Sequence, residues 1–177
     1  MREISADQNL LPEAGICNGT ALRKATRRVS QLYDSVLAPS GLRSTQRSLL
    51  IHIARAGAPT MGELATALVL DRSALAHNLK PLERDGLVAI RVDPRDKRGR
   101  LVELTAEGSA RLDASMALWR EAQHRFEAAF GPADAEALRT ALALIAAPAF
   151  TRSFEAAGGD AGASPTRAAW APRSSGP

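Results

Sequence analysis

Residues 93–100 read Asp-Pro-Arg-Asp-Lys-Arg-Gly-Arg, so Arg95, Lys97, Arg98 and Arg100 crowd four cations onto one short stretch. Pro94 and Gly99 mark a turn, and Leu101-Val102-Glu103-Leu104 beyond it alternates like a strand. Cations on a loop tip neutralise phosphates or another polyanion, unless they only solvate the turn. A second reactive group is Cys17, with Arg23, Lys24 and Arg28 close behind it. A thiol at a helix N-terminus beside cations has a lowered pKa, which favours reaction with peroxide. His52, His77, His124 and the cysteine have no metal-ligand spacing. There is no glycine-rich phosphate loop after a strand and no nucleophile elbow. The expectation is a protein that binds rather than catalyses, with no metal and no cofactor.

The composition points the same way. The chain has 177 residues, enough for about one domain with a real core. Its formal net charge is +4, which suits a polyanionic partner. Aromatic residues make up 4%, too few for a platform of stacked single-stranded bases. A single cysteine permits no internal disulfide. The opening MREISADQNLLPEAG lacks the apolar run of a signal peptide, and no apolar stretch is long enough to span a membrane. A cytoplasmic protein with no membrane partner is expected.

The elements that must position these groups are mainly helical. Leu22, Ala25, Val29, Leu32, Tyr33 and Val36 share one face of a helix over 20–37, ended by Pro39 and Gly41. Ser44 is placed to cap a second helix over 45–54, with Leu49, Leu50 and Ile53 inward. Thr60 and Glu63 form a capping box for a short third helix over about 61–68. Asp71 caps a fourth, with Leu75, Leu79 and Leu82 inward, which stops at Asp85-Gly86. Pro81 inside it predicts a kink or an early stop. Residues 87–92 and 101–105 read as two strands of a hairpin. Thr105 then caps a long helix to about Phe130, and Pro132 starts another that reaches Ala147. Residues 151–177 are expected to be a disordered tail, turning to Gly, Ala, Ser and Pro from about Glu155, with Trp170 a chance aromatic in it.

A short helix, a capped helix and a hairpin in this order make a winged helix–turn–helix, whose second helix enters a DNA major groove. The fold class is therefore mainly α with a small β-hairpin wing, the winged helix–turn–helix lobe being joined to further helices. On the fourth helix Arg72, Ser73, Ala74, His77 and Asn78 are the groove-facing candidates. Arg, Asn and Ser can hydrogen-bond base edges, the Ala74 methyl can meet a thymine methyl, and Lys80 suits a phosphate.

The stretch GELATALVLDRSALAHNLKPLERDGLVAIRVDPRDKRGRLVELTAEG resembles the DNA-binding lobe of MarR-type transcriptional regulators. That family's wing signature, Asp-x-Arg, five residues, then Leu-Thr, is matched by Asp96-Lys97-Arg98 and Leu104-Thr105. The resemblance covers roughly 22–147 and implies a domain over 20–150. Within it the DNA-binding lobe occupies about 43–105 and the dimerisation helices about 20–38 and 106–147, after an N-terminal arm over 1–19. It implies a homodimer on an inverted repeat of double-stranded DNA. Arg98 would insert into the minor groove, held by the Asp96 carboxylate. Arg95, Lys97 and Arg100 would neutralise phosphates.

The resemblance also implies a switch. A small aromatic carboxylate or phenol would enter a cleft built from Arg23, Ser30, Arg47, His52 and Trp119, releasing the DNA from a repressor. The alternative switch is peroxide acting at Cys17. A helical protein–protein adaptor without DNA affinity is the reading from another class.

Overall fold

The computed structural model describes residues 17–159, which fall into two compact units divided after Gly131. The first holds five α-helices, a single 3-10 turn (Ala38–Ser40) and one hairpin: α1 (Asn18–Leu37), α2 (Ser44–Ala56), α3 (Met61–Ala67), α4 (Arg72–Arg84), β1 (Val88–Val92), β2 (Arg100–Leu104) and α5 (Ala106–Phe130). The second holds α6 (Pro132–Ala146) and α7 (Pro148–Gly159). Among the described residues no helix is long and apolar enough to cross a membrane.

One core organises the lobe. Leu49, Leu50, Ile53, Leu64, Leu75, Leu79, Leu82, Val88, Val102 and Leu112 are all buried together. Those on α2 and α4 recur at helical spacing, so each helix buries one stripe and leaves the rest to solvent.

Local chemistry sets the element ends. Thr60 Oγ1 accepts the Glu63 N–H at 3.2 Å while Glu63 Oε2 accepts the Thr60 N–H at 2.8 Å, completing the capping box. Asp71 Oδ1 accepts the Ala74 N–H at 2.7 Å. These bonds favour both carboxylates in the charged form. Glu63 lies below its usual pKa chiefly through the Thr60 N–H, and Asp71 chiefly through the Ser73 hydroxyl. At α2 the expectation fails: the N-cap position is Arg43, whose N–H is held by Gln46 Oε1 at 2.9 Å. Ser44 already belongs to the helix, and Asp34 Oδ1 accepts its N–H at 2.6 Å, tying α1 to α2.

Pro81 does not shorten α4, which runs on to Arg84. Standing this late in the helix, the proline removes a single bond, and Pro81 O still accepts the Asp85 N–H. The tail also needs correcting, because residues 151–159 belong to α7. The remainder of it, including Trp170, lies outside the described residues, as do residues 1–16 of the arm.

The hairpin pairs Val88 with Leu104 and Val92 with Arg100 in antiparallel register. A third segment joins it: Pro59 O accepts the Val102 N–H at 2.9 Å, and Thr60 bridges to Leu101. At the hairpin's end Thr105 ties three elements together. Its hydroxyl donates to Gly86 O at 2.6 Å and accepts the Gly108 N–H at 2.9 Å, while its own N–H reaches Leu87 O at 3.2 Å. Gly108 allows this approach, since a Cβ there would stand 1.9 Å from Leu87 O.

Candidate nucleic-acid interface and effector cavity

Two cationic surfaces flank the core of the lobe. On α4, Arg72, Ser73, His77, Asn78 and Lys80 are exposed and Ala74 is half-buried, because Leu75, Leu79 and Leu82 turn the opposite side inward. On the hairpin loop Arg95, Asp96, Lys97, Arg98 and Arg100 are all exposed. The Ser73 hydroxyl donates to Asp71 Oδ1 at 2.7 Å, so it serves the helix cap in the free protein.

The loop's own geometry corrects one expectation. Asp96 Oδ1 accepts the Arg98 backbone N–H at 2.9 Å; the structure gives it no contact with the guanidinium. Asp93 does the same for the Arg95 N–H at 2.8 Å, and Gly99 donates to Asp96 O at 2.7 Å. The two aspartates therefore shape the turn through its backbone, which is the usual use of Asp in turns. The Arg98 side chain is left to solvent. Arg100 Nη1 donates to Lys97 O and Gly99 O at 3.2 and 3.0 Å, which makes it a brace for the loop as well as a cation.

The expected effector cluster is only partly assembled. Arg47 and Trp119 meet: the guanidinium lies 4.7 Å from the indole centroid. Arg47 is 7% exposed, its Nε donates to Ser115 Oγ at 3.1 Å, and the structure pairs it with no carboxylate among the described residues. Burial first, and the Arg55 charge second, lowers its pKa from the usual arginine value, though an arginine stays protonated at neutral pH. A cavity of about 300 Å³ adjoins this pair, lined also by Tyr33, Ser44, Ser48, Ile51, Arg55 and Met116. The Ser44 hydroxyl there is buried and has no partner. A buried cation beside a second cation and an unsatisfied hydroxyl makes a site suited to an anion.

Arg23, Ser30 and His52 do not line this cavity. Arg23 precedes Tyr33 by ten residues, about 15 Å along the helix axis. His52 turns its Nδ1 to Ser48 O at 2.7 Å and lines a different cleft of about 730 Å³ beside Thr60, Glu63, Asp93 and Arg95. Sequence reasoning missed Arg55. The signal was present, since Arg47, Ile51 and Arg55 follow one another at four-residue spacing and so share a face of α2.

At the start of α1, Cys17 is exposed. The Thr20 hydroxyl donates to its Sγ at 3.3 Å and is the first cause that lowers its pKa, followed by the Thr20 N–H.

Comparison with known proteins identifies the arrangement. A family model described as MarR family matches residues 40–99. The multiple antibiotic resistance protein MarR of Salmonella typhimurium is 34% identical over 92 residues, which span 52% of this chain and 64% of that protein. The transcriptional regulator MosR of M. tuberculosis, solved in complex with DNA, superposes with a TM-score of 0.68 at 36% identity, covering 79% of this chain and 97% of MosR. The repressor CouR, solved on a 23-mer DNA duplex, gives 0.67 at 30% identity over 74% of this chain and 93% of its own. These relatives are regulators of transcription and not enzymes. With the capped α3–α4 pair, the hairpin loop and the Thr105 junction all in place, the chain belongs to the MarR family of winged helix–turn–helix transcriptional regulators.

Proposed function

We propose that the protein is a homodimeric repressor that binds an inverted-repeat DNA site and releases it when a small aromatic carboxylate or phenol fills the Arg47–Trp119 cavity. The observation that carries the DNA reading is the presence, on one small lobe, of an exposed polar α4 and a cationic loop braced at its base. MosR and CouR, both solved on DNA, support it. Asn78 and Arg72 read base edges, Arg98 enters the minor groove, and Arg95, Lys97, Lys80 and Arg100 neutralise phosphates.

The dimer is supported by apolar side chains left in water on a single chain. Leu22 and Leu32 on α1, and Leu144, Phe150 and Phe154 on α6 and α7, are all exposed. A second copy is the economical cover for them, and a two-fold pair would present two α4 helices roughly 34 Å apart. For the effector, CouR solved with p-coumaroyl-CoA supports an aromatic acyl class. The site is here rebuilt around Arg47, Arg55, Ser44 and Trp119. A ligand lowers DNA affinity only by favouring the DNA-free state, and the coupling is reciprocal.

Fluorescence anisotropy of duplex DNA selected by the protein from a random pool tests all three parts. Tight, salt-sensitive binding by a dimer, weakened by benzoate-, cinnamate- or indole-type acids, is expected. Absence of duplex affinity at low salt would leave a helical adaptor. The exposed, pKa-lowered Cys17 favours a second reading, a peroxide switch. Release by organic hydroperoxide alone, lost in Cys17→Ser, would replace the aromatic acid with it.

A further inference from the structure

Two helices of the reading head end in the same hydrogen-bonded motif with different residues at its critical position. At the end of α4, Leu87 N–H reaches Leu82 O and Gly86 N–H reaches Glu83 O, at 2.8 and 3.0 Å. At the end of α3, Leu70 N–H reaches Ala65 O and Val69 N–H reaches Thr66 O, at 2.9 and 3.2 Å. This is one helix-ending arrangement used twice, and it needs a left-handed residue at its bend. Gly86 supplies that at φ 72° with no side chain to object. Val69 supplies it at φ 53°, the positive-φ position among the described residues that is not glycine. A branched Cβ is the least tolerated kind there.

The two bonds of the turn account for a left-handed backbone at position 69 but not for a β-branched side chain there, where glycine would do. Leu68 and Leu70 pack against the core on either side, and this turns Val69 outward, 69% exposed. Its isopropyl group stands on the turn, two residues before the Asp71 cap and three before Arg72, where α4 begins to face DNA. Strain at a single exposed residue beside a binding surface is a feature of functional positions.

We infer that Val69 is a specificity-determining residue of the DNA interface, its methyl groups making apolar contact with a thymine methyl at the edge of the major groove entered by α4. The inference rests on the DNA-binding reading above. Apolar contact with the thymine C5-methyl is one of the ways a protein distinguishes A·T from the other pairs.

The test compares wild type, Val69→Gly, Val69→Ala and Val69→Thr by thermal melting and by anisotropy on the duplex that the wild type selects from a random pool. Each thymine of that duplex is then replaced in turn by deoxyuridine. Val69→Gly should melt higher by about 2–4 °C, as the strain is relieved. It and Val69→Ala should bind about four-fold more weakly for each methyl withdrawn from contact. The wild type should lose affinity with deoxyuridine at one position, to which both variants are indifferent. Val69→Thr, with one methyl kept, should fall between. Wild-type affinity and an unchanged deoxyuridine profile in both Gly and Ala variants would overturn the inference. Weaker binding with no thymine singled out would move the contact to the sugar and overturn the base-reading part. A wild type that selects no duplex at all would instead sink the DNA reading itself.

Discussion

The Arg47 guanidinium faces the Trp119 ring at 4.7 Å while its Nε donates to Ser115 Oγ and its Nη2 to Met116 Sδ, both at 3.1 Å, so one side chain of α2 is clamped to three of α5. Arg47 is thus both a ligand candidate and part of the scaffold. Arg47→Ala should lower unfolding free energy by about 1–3 kcal/mol, because it strips the ring contact and a buried bond together. Urea denaturation reads that directly. Exposed Arg55 separates the two roles: Arg55→Ala should stay within about 0.5 kcal/mol of wild-type stability yet lose most of the response to an aromatic acid. An Arg55→Ala protein that still releases DNA normally would place the acid elsewhere.

Gly108 tests the junction between hairpin and long helix. Gly108→Ala drives a Cβ into Leu87 O, and both are backbone-anchored, so neither can step aside. A loss of about 1–3 kcal/mol or more is expected, together with weaker DNA binding, since α4 and the hairpin both meet there. Wild-type melting of this variant would mean that α5 starts differently.

Asp96 offers a test that distinguishes a backbone role from a side-chain one. Its oxygen accepts the Arg98 N–H, and an asparagine oxygen can do that equally well. Asp96→Asn should therefore bind DNA as wild type does, while Asp96→Ala loosens the loop and weakens binding. Equal damage from both would restore a carboxylate–guanidinium pair. Arg98→Ala should weaken binding to all duplexes and lower the salt slope by about 1, whereas Asn78→Ala should relax choice at one base pair at a cost of about 1–3 kcal/mol.

The caps of α3 and α4 make an acid-sensitive pair. Glu63 and Asp71 both have lowered pKa values in the folded protein. Their contribution is accordingly complete above the unfolded values near about 4, and it is lost as pH falls through the lower folded ones. Melts from pH 7 downward should show a decline in that acid window, and it should be smaller in Glu63→Gln and Asp71→Asn. A decline already complete at pH 5 would point to other groups.

Much of the lobe was legible because each signal was local. Thr60 with Glu63, and Asp71 before its leucine stripe, are caps whose partners stand three residues away. The Leu104-Thr105 pair marked the start of α5 for the same reason. The make-up of the Arg47–Trp119 cavity was not legible, since it depends on how far along α1 and how far around α2 each side chain lies. Arg23 sits too far along, and His52 too far around. Ser44 looked like a cap because its type is right, but the Asp34 carboxylate, ten residues earlier, holds its N–H and leaves the capping to Gln46. The leucines at 22 and 32 share one apolar face of α1 on periodicity alone, yet they are exposed on this chain, and only the proposed second copy would cover them.

The strand-like contact of Pro59 and Thr60 with the hairpin has a mechanical consequence. It fastens the loop that precedes α3 to the strand that follows the wing, and Thr105 fastens the other end to α4 and α5. Wing and recognition helix are then a single stiff stylus with little freedom to flex against each other. In the proposed dimer, a bound acid would gain little by bending either one. What it can alter is the gap between the two tips, so the protein would work as a calliper whose setting must match the helical repeat of DNA.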